Sequence, residues 1–178
     1  MGGKSGLSGI VENAVIGYMT EYAGKLKERA EAYSAQSIQR QIKAEVAEKH
    51  FLIGYRMGGN EPTLEDGIKI AKLIENSGID IQHVSHGMDG GSIPVVPDDF
   101  NYNWIVYCGT EIKKNVKVPV IVVNRIRTPN QAKYLIENNM ADFVAIGRGQ
   151  LADPEWANKA KNNDKIISYI DIPLFGSY

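Results

Sequence analysis

Apolar and polar positions along the chain fall into helix-period and strand-like segments that take turns. Residues 25 to 49 carry the longest helical pattern, with Leu26, Ala30, Tyr33, Ser37 or Ile38, Ile42 and Val46 on one face and charged or amide side chains elsewhere, which predicts a helix packed along one side. Phe51 to Tyr55 reads as a buried strand that ends at Arg56 and turns over Met57-Gly58-Gly59-Asn60. Thr63 to Glu75 follows as a helix capped by Thr63, with Asp66 three residues on and Ile68, Ala71 or Lys72, and Ile74 inward. Ser77-Gly78 stops it. Ile79 to Ser85 is then a second strand, with Ile79, Ile81, His83 and Ser85 on one face.

His86 to Asn101 is long for a structureless connection, which points to a functional loop or one ordered by a ligand. Tyr102 to Asn115 is a helix, and Pro119 introduces Val120-Ile121-Val122-Val123, the clearest strand in the chain. Asn124 to Arg127 turns into a helix that Thr128 caps and Pro129 opens, ending at Asn138-Asn139. Phe143 to Ile146 is a short apolar strand, followed by Gly147-Arg148-Gly149 and a helix from Asp153, as N-cap, through Asn162. The tail from Ile166 is apolar and aromatic without a clear period, so it is expected to lie against another surface. Strands and helices in strict alternation predict an α/β fold of four βα units, a parallel sheet with right-handed crossovers.

Composition adds the class of molecule. The 178 residues are 43% apolar and 23% charged, ordinary values for one globular domain. A net charge of −1 and a pI near 6.3 leave no electrostatic footprint for nucleic acid or an anionic membrane, so any anion site must be local. No apolar run approaches the ~18 residues of a membrane span, and the N-terminus lacks the pattern of a signal peptide. Cys108 is the one cysteine. It excludes an internal disulfide and a cysteine metal cluster, fits a reducing cytoplasm, and is expected to be a buried structural thiol.

Candidate chemistry gathers at Ala141 to Pro154. Gly147 and Gly149 allow a sharp turn and close approach of backbone to a ligand, and amides of that turn with the Arg148 guanidinium would bind a phosphate. A turn that merely carries a surface arginine has the same pattern.

Four stretches carry a resemblance. Glu21 to Arg29 (E-Y-A-G-K-L-K-E-R), Ile53 to Arg56 (I-G-Y-R), Val120 to Pro129, and Ala141 to Pro154 (A-D-F-V-A-I-G-R-G-Q-L-A-D-P) resemble, in order and spacing, segments of the old yellow enzyme group of NADH:flavin oxidoreductases, which includes the 2,4-dienoyl-CoA reductases. The likeness runs from about residue 20 to 162. It implies that the chain corresponds to strands 5 to 8 of a TIM (β/α)8 barrel, a C-terminal half barrel over residues 20–165, with an atypical segment at 1–19 and the apolar tail at 166–178. A whole barrel takes about 250 residues. The resemblance further implies FMN as cofactor, with its phosphate held by Arg148 and backbone amides of Gly147, Gly149, Asn124 and Arg125, and with Arg56 facing N1 and O2 of the flavin ring, where positive charge favours the anionic reduced form.

It also sets limits. The family's substrate-activating His/Asn or His/His pair and its proton-donating tyrosine lie on strand 4, outside the matched half, so no catalytic residue is assigned and activity of this chain alone is not expected. His83 is expected to be a packed or hydrogen-bonded core residue, and His86 either a plain loop residue or a lining residue of the flavin pocket. Asn124-Arg125 stands where the family has Gly-Gly or Gly-Asn. The implied function is the FMN-binding part of an ene-reductase-type oxidoreductase, paired with a second copy or with an N-terminal half. A non-enzymatic domain with a vestigial phosphate site is the alternative, and a sugar-phosphate enzyme using Asp89 as acid ranks last. Substrate and choice of nicotinamide stay open.

Overall fold

The computed structural model describes Gln41, residues 52–86 and residues 91–167. The chain divides into two compact units, residues 1–49 and 50–178. In the first, Gln41 is helical and exposed; the rest of the helix expected over 25 to 49, like the segment 1–19 and residues 168–178 of the tail, lies outside the described residues.

The second unit is built on β1 (Gly54–Gly58), α1 (Leu64–Asn76), β2 (Ile81–Ser85), α2 (Trp104–Lys113), β3 (Val120–Val123), α3 (Pro129–Glu137) and β4 (Phe143–Ala145), closed by α4 (Arg148–Ala152) and α5 (Trp156–Asn162). The strands form one parallel sheet in the order β1-β2-β3-β4, so the predicted α/β alternation is what the chain adopts. With neighbours in sequence also neighbours in the sheet, right-handed crossovers put all connecting helices on one face. Met57, Val84, Val122 and Val144 make one row across the sheet on the helix side, where Val84 and Val122 are fully buried. The next row, Arg56, His83, Ile121 and Phe143, points to the opposite face, and Phe143 there is 52% exposed.

Local chemistry explains most element ends. Thr63 accepts a hydrogen bond from the Asp66 amide at the start of α1. Thr128 and Gln131 form a capping box around α3, whose first residue is Pro129. Asp142 reaches across to accept from the Val120 amide at 2.7 Å and pairs with Lys113 at 2.8 Å, tying the starts of β3 and β4 to the end of α2. The helix layer sits close to the sheet because α2 carries glycine at 109, where a Cβ would meet Val122 Cγ1 at 2.5 Å.

Several expectations are corrected. The first strand runs through Gly58 instead of ending at Arg56, because its pairing with β2 extends from Gly54↔Ile81 to Gly58↔Ser85; Leu52, counted as a buried strand residue, is 78% exposed. Arg56 is therefore inside the strand. The inward side chains of α1 are Ile70, Ala71 and Ile74, with Ile68 only half-buried. In β2 the fully covered face is that of Gln82 and Val84, opposite to the face that carries Ile81 and His83. Asp153 is not an N-cap: α4 begins at Arg148 itself, Asp153 is its C-cap, and α5 starts two residues beyond Pro154.

Candidate functional site

All four strands deliver residues to one cleft at their C-terminal ends, the end at which ligands bind in open parallel sheets. The cleft encloses about 300 Å³ and is lined by each of Arg56, Asn124, Arg125, Gly147, Arg148 and Gly149. Arg56 comes from β1, Asn124 and Arg125 from the turn after β3, and the glycines with Arg148 from the turn after β4. The six residues singled out from the sequence are thus brought together. Four more were not: Ser85, Val123, Ile126 and Ala145 complete the wall. Their signal was positional, since three are the last residues of their strands.

Three guanidinium groups in so small a volume make a local positive field in a chain of net charge −1. Arg56 Nη2 donates to Ser85 Oγ at 3.0 Å, which steadies the head group over the sheet face. Arg125 is exposed and makes no hydrogen bond or ion pair among the described residues. The turn that carries it is unusual: Asn124 has φ 118° and Arg125 φ 50°, left-handed backbone that favours glycine. Asn-Arg stands here where the resembling family has Gly-Gly or Gly-Asn, in a backbone conformation that glycine adopts without strain. Asn124 Oδ1 is buried without a partner among the described residues. Across the cleft, a Cβ added at Gly147 would meet nothing within 4 Å, so space is open where backbone and ligand would approach. An orphaned acceptor, open room at a glycine and three cations suit an anionic ligand with polar hydrogens, as a flavin phosphate with its ribityl hydroxyls would be.

Gly149 lies under the turn, where a Cβ would meet Ile146 Cγ2 at 2.8 Å and the Trp156 ring at 3.5 Å. Trp156 and Asp153 anchor that turn from below. The buried Asp153 carboxylate accepts from the Ile167 amide at 2.9 Å and pairs with Lys159 at 2.8 Å, and these partners hold its pKa below the usual carboxylate value. A second cleft of about 290 Å³ shares Arg125 and adds Arg127, Tyr102 and Gln131; in it the Tyr102 hydroxyl donates to the Gln131 carbonyl at 2.9 Å.

The histidines divide. His83 lies beside Arg56 on the same sheet face; burial, followed by the Arg56 charge, lowers its pKa from the usual 6.5, and its Nε2 is buried without a partner among the described residues. It is half-buried, where a packed or hydrogen-bonded core residue was expected. His86 packs edge-on against Trp104, ring centroids 4.9 Å apart, and is not part of the cleft wall. Cys108 is buried, and burial pushes its thiol up to about 11, the state of an inert structural cysteine. Asp89 lies outside the described residues. Among the described residues there is no cluster of three metal-ligating side chains and no helix long and apolar enough to cross a membrane.

Comparison with known proteins extends the geometry. Residues 20–165 match the family model described as NADH:flavin oxidoreductase / NADH oxidase family. An NADH oxidase of Thermoanaerobacter brockii is 50% identical over 106 residues, 58% of this chain and 16% of that protein. A probable NADH-dependent flavin oxidoreductase of Bacillus subtilis is 26% identical over 177 residues, 89% of this chain and 46% of that protein. The chain thus spans less than half the length of either relative. Among solved structures, the old yellow enzyme homologue from Zymomonas mobilis aligns at 17% identity and a TM-score of 0.48, covering 65% of this chain and 32% of that one.

Proposed function

This chain belongs to the NADH:flavin oxidoreductase / NADH oxidase family, and on that premise we propose that it is the FMN-binding, C-terminal part of an ene-reductase-type oxidoreductase barrel. The observation that carries this reading is the single cleft that joins Arg56, Asn124, Arg125, Gly147, Arg148 and Gly149 at the strand ends. Arg148, Arg125 and the turn amides hold the phosphate; Arg56, braced by Ser85, sets positive charge against the ring. FMN, when bound, supplies the hydride-accepting and hydride-donating chemistry. The residues of this chain bind and orient it, and the positive charge of Arg56 favours a negatively charged reduced ring. Substrate activation and proton donation fall to residues of the barrel's other half.

That half is the partner. The four strands are completed by an N-terminal set of four or by a second copy of the chain, closing a barrel whose interior is the face of Arg56, His83, Ile121 and Phe143. The buried reduced cysteine fits a cytoplasmic setting.

Titration of the purified chain with FMN, followed by quenching of flavin fluorescence, tests the reading. Saturable binding is expected, and Arg148→Ala is expected to weaken it by about 10- to 150-fold, the loss of a charge-assisted contact of about 1.5 to 3 kcal/mol, with an unchanged circular dichroism spectrum. Affinity that Arg148→Ala leaves untouched sinks the site assignment. Protein that stays colourless and ignores FMN favours instead a non-enzymatic domain with a vestigial phosphate site.

A further inference from the structure

Beyond the end of β1 the chain makes a tight turn that sends one acid back onto the sheet. The Gly59 amide donates to the Ser85 carbonyl at 3.0 Å, and Asn60, fully buried, donates from Nδ2 to the Ser92 carbonyl at 3.0 Å. These bonds fix the backbone on which Glu61 stands. Gly58 shows where the Glu61 side chain goes: a Cβ added at Gly58 would run into its carboxyl group, with Cδ at 2.6 Å and Cγ at 3.0 Å. The carboxylate therefore fills the side-chain position that the glycine leaves open.

Side chains alternate across a strand, so position 58 shares the face of Arg56, and its register partner on β2 is Ser85. Neighbouring strands lie about 4.8 Å apart, and alternate residues about 6.6 Å apart along one strand. The position that the carboxylate fills is thus one strand spacing from Ser85, whose Oγ accepts from Arg56. Both of those residues line the arginine cleft. Glu61 Oε1 is buried and has no hydrogen-bond partner among the described residues. A carboxylate oxygen withdrawn from water is weakly screened, so its charge reaches neighbours at this range.

We propose that Glu61 is a counter-charge to Arg56 at the edge of the flavin site. It reduces the positive field that the arginine sets against the ring, and so holds down the preference of the site for the reduced, negatively charged cofactor. This rests on the flavin reading above and adds to it a residue that tunes the bound cofactor without holding it.

Two substitutions reach the same charge by different routes. Glu61→Gln keeps the shape and removes the charge. Gly58→Ala keeps the charge and displaces it, since the atoms that the methyl group would meet are the far end of a flexible side chain. Midpoint potentials of FMN bound to the full chain are measured against a reference dye for parent and variants, beside titrations with oxidised FMN. Each variant is expected to favour reduced over oxidised FMN about five- to tenfold more than the parent, a rise of about 20 to 30 mV for a two-electron couple. Affinity for oxidised FMN should change little. The double variant should show the shift of one substitution and not the sum, because the charge can be lost only once. Bound FMN whose potential in Glu61→Gln equals or falls below the parent's overturns the inference and leaves the flavin reading standing. Shifts that add in the double variant, or a folded Gly58→Ala protein without a shift, overturn it equally. A chain that takes up no FMN overturns both.

Discussion

Single residues decide the character of the arginine cleft. Asn124 and Arg125 adopt left-handed backbone, which costs a non-glycine residue of order 1 kcal/mol or more. Asparagine tolerates it better than most residues, and a β-branched side chain does not. Asn124→Val is therefore expected to destabilise the fold by about 1 to 3 kcal/mol, and Asn124→Gly to leave the urea midpoint equal or higher; a Val variant as stable as the parent would remove the claim of strain. His83 gives a pH signature. Its folded pKa lies below the usual 6.5 because burial and Arg56 disfavour the imidazolium. As pH falls through about 6.5 the unfolded chain takes up a proton that the folded chain resists, so this contribution to stability is present above that pH and is lost on the acid side. His83→Gln is expected to flatten the fall in urea midpoint between about pH 7 and pH 5, and a slope identical to the parent's would assign the pH dependence elsewhere.

At the scale of elements, what was legible followed from chemistry that is local. Val120–Val123 is β-branched, short and preceded by proline, and it forms where expected. Thr63 and Thr128 cap the helices they were read to cap, because their hydroxyls accept from amides three residues on. What misled was set by partners distant in sequence. Met57-Gly58 looked like a turn, yet pairing with Val84-Ser85 keeps it in the strand. Gln82, a polar residue, sits on the covered face because the register of β1, β2 and β3 makes it a neighbour of Tyr55 and Val120. Asp153 has the composition of an N-cap, but Lys159 and the Ile167 amide claim its carboxylate. Gly147, Arg148 and Gly149 were legible from turn chemistry, and Arg56, Asn124 and Arg125 through motif resemblance; Ser85 was missed as a site residue because its role is to hold Arg56. Packing between elements is tight at one backbone crossing: a Cβ on Gly67 in α1 would run into the Gly59 carbonyl, which has no flexible end to swing aside. Gly67→Ala should cost about 2 to 3 kcal/mol in chemical denaturation, despite alanine's better helix propensity, and a stabilised variant would refute that close approach.

At the scale of the molecule, the sheet formed by the described residues has two parallel edges, β1 and β4. Edges of that kind invite further strands, and the proposed completion of the barrel predicts that the isolated chain sediments as a dimer; a monomer at micromolar concentration would leave a separate N-terminal half as the required partner. The strand order has another outcome. Because, among the described residues, β1 pairs with β2 alone and β4 with β3 alone, each unit docks on one already made, and the amides of the sheet divide by how many neighbours guard them. Hydrogen exchange should be slowest at Val84 and Val122, bonded on both sides, and faster along β1 and β4, so that opening starts at the margins and moves inward. A chain emerging from the ribosome would add its strands one at a time in the same order in which they lie side by side.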